Sequence, residues 1–143
     1  MGTRKILILL FLLAAVSAFA DTAEEHFKKG IDLANSGKYD EAVLELKQAL
    51  ALEPKSYKCH LNLGLVYANQ KRYDEAMKAI ETAISINPDK VMDHYVLALL
   101  YERKKEKDKA VAEWEKVLKL KPDDKTREFA EKHIRWLKKQ EKQ

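Results

Sequence analysis

One cysteine, Cys59, stands in a chain of 143 residues. A single thiol cannot form an internal disulfide, so no covalent staple holds this fold. Glycine and proline are scarce, at four and three residues, which excludes collagen-like and Gly- or Pro-rich disordered chains. Beyond residue 20 no apolar run approaches the roughly 20 residues that a membrane-spanning helix needs. The strings HExxH, CxxC, GxGxxG and GxSxG and the phosphate-binding P-loop are all missing. The serines beyond residue 20 are Ser36, Ser56 and Ser85, none with a visible base partner. These absences point to a protein that is not an enzyme and holds no cofactor.

The first twenty residues are unlike the rest. Arg4 and Lys5 precede an apolar stretch from Ile6 to Val16, and Ser17-Ala18-Phe19-Ala20 follows. A charged start, an apolar middle and an A-x-A site have the form of a secretory signal peptide over 1–20, with cleavage after Ala20. Ile6 also stands where a myristoylation signal wants Ser or Thr. The sequence therefore predicts an exported protein, periplasmic in a bacterium or secreted, whose domain covers 21–143. Without Arg4 and Lys5 the chain carries 25 basic against 23 acidic side chains, so the pI near 9.0 overstates its basicity. Export and this balance argue against a nucleic-acid partner. A mild basic excess beyond residue 90 would suit an acidic partner or anionic lipid head groups.

What the chain does have is a period. Pro54, Pro88 and Pro122 lie at a constant offset of 34, as do Ala42, Ala76 and Ala110, and as do His26, His60 and His94. A constant offset of that length marks stacked copies of one supersecondary unit. Within each copy, apolar residues recur at three-four spacing in two short stretches separated by a polar break. The spacing predicts helices over 23–35, 39–52, 57–69, 73–86, 90–103 and 107–120. Thr22 with Glu25 has the form of a capping box, Ser56 is a candidate cap, and the prolines stand where a helix cannot continue. A last helix, over about 124–140, sets Phe129, Ala130, His133, Ile134, Trp136 and Leu137 on one arc and Lys132, Arg135, Lys138 and Lys139 on the other.

In the middle copy, Leu63, Gly64, Tyr67, Tyr73, Ala76, Ile80, Ala83 and Pro88 resemble the pattern of the tetratricopeptide repeat. Gly30, Tyr39, Ala42, Leu46, Ala49 and Pro54 do so in the first copy, and Leu97, Tyr101, Ala110, Trp114 and Pro122 in the third. Departures are Lys29 and Leu33 for Leu and Tyr, Ala98 for Gly, Lys107 for Tyr and Val117 for Ala. The three histidines stand where the family often has Trp. The resemblance covers 23–124 and implies an all-α, right-handed solenoid of three helix-turn-helix units (about 23–56, 57–90 and 91–124) plus a C-terminal capping helix. Small residues such as Gly64 and Ala76 would permit close helix approach.

The resemblance also implies where a ligand would lie, since the first helix of each unit in such arrays lines a concave groove. The corresponding places hold Phe27 and Ile31, Leu61 and Leu65, and Tyr95 and Leu99, each an i, i+4 pair on one helix face. Asn35, Lys58, Asn62, Asn69, Met92, Glu102 and Arg103 flank them. Family members that hold acidic chaperone tails use a clamp of lysines, asparagines and an arginine. Of its five places only Asn62 matches, the others being Phe27, Ile31, Met92 and Val96. The stripe instead suits an apolar or amphipathic peptide, which makes a protein partner the expectation. The plain alternatives are space-filling between neighbouring first helices and closure by self-association. The last helix reads as a solvating cap, with docking on a membrane surface as its rival. Cys59 reads as a packing residue, with an intermolecular disulfide as its rival. The three histidines read as packing residues too, because equivalent places in stacked repeats sit about 10 Å apart, whereas zinc needs its donors at about 2.0–2.1 Å from one centre.

Overall fold

The computed structural model describes residues 22–139; the leader read over 1–20 and Gln140, the last residue expected of the final helix, lie outside them. Seven helices are found among the described residues: α1 (Ala23–Asn35), α2 (Tyr39–Leu52), α3 (Tyr57–Asn69), α4 (Tyr73–Ile86), α5 (Val91–Arg103), α6 (Lys107–Lys119) and α7 (Asp124–Lys139). They form three antiparallel hairpins, α1 with α2, α3 with α4 and α5 with α6. Each second helix packs in turn on the first helix of the next hairpin, and α7 closes the stack on α6. The result is an all-α solenoid of three units and a capping helix. None of the described helices is long and apolar enough to cross a membrane.

The turns repeat as faithfully as the helices. Gly37, Lys71 and Lys105 take positive φ of 76°, 60° and 61°. The residue after each donates its N–H back to the carbonyl of Leu33, Tyr67 or Tyr101 at 2.9 Å. That pairing is the Schellman closure, which requires one left-handed residue just past the helix end. Glycine enters that region without the steric cost that a lysine bears. Consecutive units are also tied at these turns, since Gln70 Nε2 donates to Asp40 at 2.7 Å and Lys104 pairs with Asp74.

The core follows the period. Ala42, Ala76 and Ala110 are fully buried, and so are Leu46, Ile80 and Trp114 one turn further along each second helix. A Cβ added at Gly30 would meet Leu46 Cγ at 2.9 Å, and one at Gly64 would meet Ile80 Cδ1 at 2.6 Å. In these two units a side chain there would displace Leu46 or Ile80 from its present place.

Helix starts differ from one another more than the period suggests. Thr22 and Glu25 do form the capping box: Glu25 N–H donates to Thr22 Oγ1 at 3.2 Å and Thr22 N–H to Glu25 at 2.7 Å. Ser56 occupies the cap position of α3, but its side chain makes no cap bond. Lys90 and Leu120 are the flanking residues of α5 and α6 rather than members of them. The start of α7 is held by Asp123, which accepts from the Thr126 N–H and hydroxyl at 2.9 Å each. Those bonds keep its carboxyl below the usual range.

Candidate functional site

The groove residues lie on α1, α3 and α5. Phe27, Ile31, Leu61, Tyr95 and Leu99 are half-buried and rest on the core. Leu65 is 36% exposed and Met92 59%, so these two carry the greatest free apolar surface of the set. Asn35, Lys58, Asn69 and Arg103 are exposed at the margins. Asn62 is half-buried, and its amide donates to the Lys58 carbonyl at 2.8 Å, which leaves its carbonyl oxygen for another donor.

At the C-terminal end the stripe is not open. The Tyr95 ring meets the buried Trp114 edge-on, at 5.0 Å between centroids and 89° between planes, and lies 5.3 Å from Phe129. Phe129 stacks on His133 at 4.2 Å and 25°. Glu102 ties the cluster together, accepting from Trp114 Nε1 at 2.6 Å and from His133 Nδ1 at 2.8 Å. Tyr95 thus serves as a joint between the third unit and α7, and Glu102 is an internal anchor rather than a groove margin. Phe129 and His133 were not among the groove residues foreseen. The signal for them is the same offset, since Phe129 lies 34 residues after Tyr95 and His133 34 after Leu99.

Polar pairs under the stripe were also missed. Asp93 on α5 is fully buried and accepts from the Tyr57 hydroxyl of α3, with both carboxyl oxygens at 2.9 Å. Burial pushes the Asp93 carboxyl above its ordinary range, because the charged form loses water there. The Tyr57 phenol is pushed up to about 12, by burial and by the carboxylate it faces. Neither side chain has an equivalent in the other units, where Ala23 and Val91, and Glu25 and Cys59, stand instead. Tyr101 makes a second link between units by donating to Glu81 at 2.9 Å; burial and that contact raise its phenol to about 12 as well.

The histidines do more than fill space. His26 Nδ1–H donates to Glu45 and His94 Nδ1–H to Glu113, each at 2.7 Å, so each pins the two helices of its unit together. Among the described residues no group of three His, Cys, Asp or Glu side chains could hold a metal ion. Cys59 is buried, and burial raises its thiol above the ordinary range. A buried neutral thiol is a poor nucleophile and a poor partner for an intermolecular disulfide.

The tetratricopeptide repeat pattern matches residues 27–91 and again residues 92–124. The chain belongs to the tetratricopeptide repeat family. No curated protein matches it significantly. Solved structures of similar fold include the first tetratricopeptide domain of Spaghetti (RPAP3) bound to an HSP90 peptide, at 20% identity and a TM-score of 0.75, covering 85% of this chain and 94% of that one. The type III secretion chaperone SycD of Yersinia enterocolitica, in complex with a peptide of the translocator YopD, is similar at 17% identity and a TM-score of 0.77, with 85% and 96% covered. A third is YrrB, described as having an unusual peptide-binding site, at 21% identity and a TM-score of 0.72, with 82% and 61% covered. At these identities the likeness is one of fold. The tetratricopeptide frame also makes sense of two departures. Ala98 is fully buried and still admits its second helix, and Lys107 is half-buried where Tyr39 and Tyr73 rest on the core in the first two units.

Proposed function

We propose that this protein is a non-enzymatic adaptor that holds an apolar or amphipathic segment of a partner protein along the first helices of its units. The observation that carries this reading is the exposure of Leu65 and Met92 beside half-buried Leu61, Tyr95 and Leu99. Apolar surface gathered on one face of a charged solenoid is commonly an interaction site. The peptide complexes of the similar folds support it, since RPAP3 and SycD each hold a peptide. The margins of Asn62, Asn69 and Lys58 offer hydrogen bonds to the polar side of such a segment. The carboxylate clamp of chaperone-tail binders is not part of this reading, because Phe27, Ile31, Met92 and Val96 take four of its five places.

The reading extends to export, with a leader over 1–20 removed after Ala20 and the adaptor working in a bacterial envelope. N-terminal sequencing of the protein from cells tests that part by itself. For the groove, Leu65→Glu places a charge in the stripe at a residue that is more than a third exposed. Partner capture from envelope extract should be lost while helicity and melting temperature stay within error of wild type. Retained capture would remove the groove assignment.

A further inference from the structure

The three histidines occupy one repeat place, yet their second helices do not offer them the same partner. Ala79 stands 34 residues after Glu45 and 34 before Glu113, so the middle unit has a methyl group where both outer units have a carboxylate. His60 keeps the other contact of the set. Its Nε2 faces the Pro54 carbonyl at 2.9 Å, as His94 Nε2 faces Pro88 at 3.1 Å. Only the carboxylate is missing.

Where it would stand there is an open cleft of about 300 Å³ between α2, α3 and α4, with Leu50, Leu63 and Tyr67 in its wall beside His60 and Ala79. The cleft shares no residue with the groove. In the outer units a lysine completes the arrangement, Lys29 reaching Glu45 at 2.6 Å and Lys116 reaching Glu113 at 2.7 Å. Around the cleft the cations are Lys47 and Lys78, and the one acid in its wall, Glu75, is paired with Arg72. The fold thus shows twice, in its own outer units, how a carboxylate is seated at this place. In the middle unit it presents the same histidine, two lysines and an apolar wall, with alanine at the place of the carboxylate and the wall's one acid held by Arg72.

We infer that this cleft is a second binding site, which takes the side-chain carboxylate of a glutamate from a partner polypeptide. His60 Nδ1–H would donate to one oxygen, as His26 and His94 do to their own glutamates. Lys47 or Lys78 supplies the countercharge, a combination stronger than a neutral hydrogen bond. Leu50, Leu63 and Tyr67 receive the methylenes and a neighbouring apolar side chain. The volume, at the small end of ligand sites, suits one side chain and not a helix. This site stands or falls independently of the groove.

The test is a titration of the full chain with acetyl-Leu-Glu-Leu-amide, followed by the His60 imidazole resonances in NMR spectra, beside the same tripeptide carrying glutamine. The glutamate peptide should shift His60 saturably, and the glutamine peptide should bind about tenfold more weakly, as expected for loss of a charge-assisted hydrogen bond. Ala79→Glu, which fills the place from within, should abolish the response while the remaining spectrum stays that of the folded chain. Should that variant fail to fold, the double substitution Lys47→Ala with Lys78→Ala reads the same claim, since both side chains sit at the surface of their helices; it should weaken the glutamate peptide by a similar factor. Equal responses to the two peptides, no response at millimolar concentration, or an undiminished response in the substituted chain would each overturn the site.

Discussion

In the first and third units a histidine of the first helix meets a glutamate of the second at 2.7 Å, while in the middle unit the same histidine stands beside Ala79 and an open cleft. The apolar frame does not change with it. Leu46, Ile80 and Trp114 are equally buried, and the Schellman turns after α1, α3 and α5 close alike. Stacking explains the contrast, because every unit must match the shape of both neighbours and the residues that set that shape are held to the period. The histidine–glutamate bond itself lies inside one unit, between its two helices, and that bond is free to differ.

The largest effect should separate the units at this pair. His94 and Glu113 are 5% and 7% exposed, so His94→Ala leaves a buried carboxylate with Lys116 as its remaining cation and should destabilise the fold by about 3 kcal/mol. His60→Ala removes one carbonyl contact and should cost about 1 kcal/mol. Chemical denaturation of the two variants measures the difference, and equal losses would erase the distinction between the units.

A smaller effect tests the bond that joins the middle unit to the third. Tyr57→Phe removes the hydroxyl that faces both Asp93 oxygens and should destabilise the chain by about 1–3 kcal/mol at pH 7. Its pH dependence has a definite sign. The Asp93 carboxyl titrates above its unfolded value, so the folded chain binds that proton more tightly than the unfolded one. The penalty for burying the ionised group is full above the folded pKa and is relieved as pH falls through it. The deficit of the Tyr57→Phe variant should therefore shrink in acid, as melts at a series of pH values would show. A deficit that stays constant from pH 7 into acid would mean that Asp93 is already neutral in the folded chain at pH 7.

The smallest effect compares turns. Lys71 and Lys105 hold the left-handed place that Gly37 holds in the first unit. Lys71→Gly and Lys105→Gly should each change stability by only about 0.5–1 kcal/mol in the favourable direction, and Gly37→Ala by as much in the unfavourable one. Melting temperatures of the three variants check the set.

Legibility in the sequence follows the same division. Helix ends, the capping box at Thr22 and Glu25, and the buried alanines could be read because they are local or periodic. The Tyr57 to Asp93 bond could not, because its partners lie 36 residues apart, off the period, and neither side chain recurs. Phe129 and His133 read as members of an amphipathic cap; the offset from Tyr95 and Leu99 places them as the fourth step of the stripe. Ser56 has the residue type of a cap and its position, yet its side chain makes no cap bond. Residue type and position together do not fix the side-chain geometry that a cap needs.

The middle unit differs from its neighbours by a missing carboxylate at a place otherwise built to hold one. The melting temperature of Ala79→Glu, set beside Ala79→Gln, tests it most directly. A glutamate that pairs with His60 should stabilise the chain by about 1 kcal/mol and raise the melting temperature by about 4 °C, with glutamine giving no such gain. A fall in melting temperature for the glutamate variant, or equal behaviour of the two, would contradict the claim.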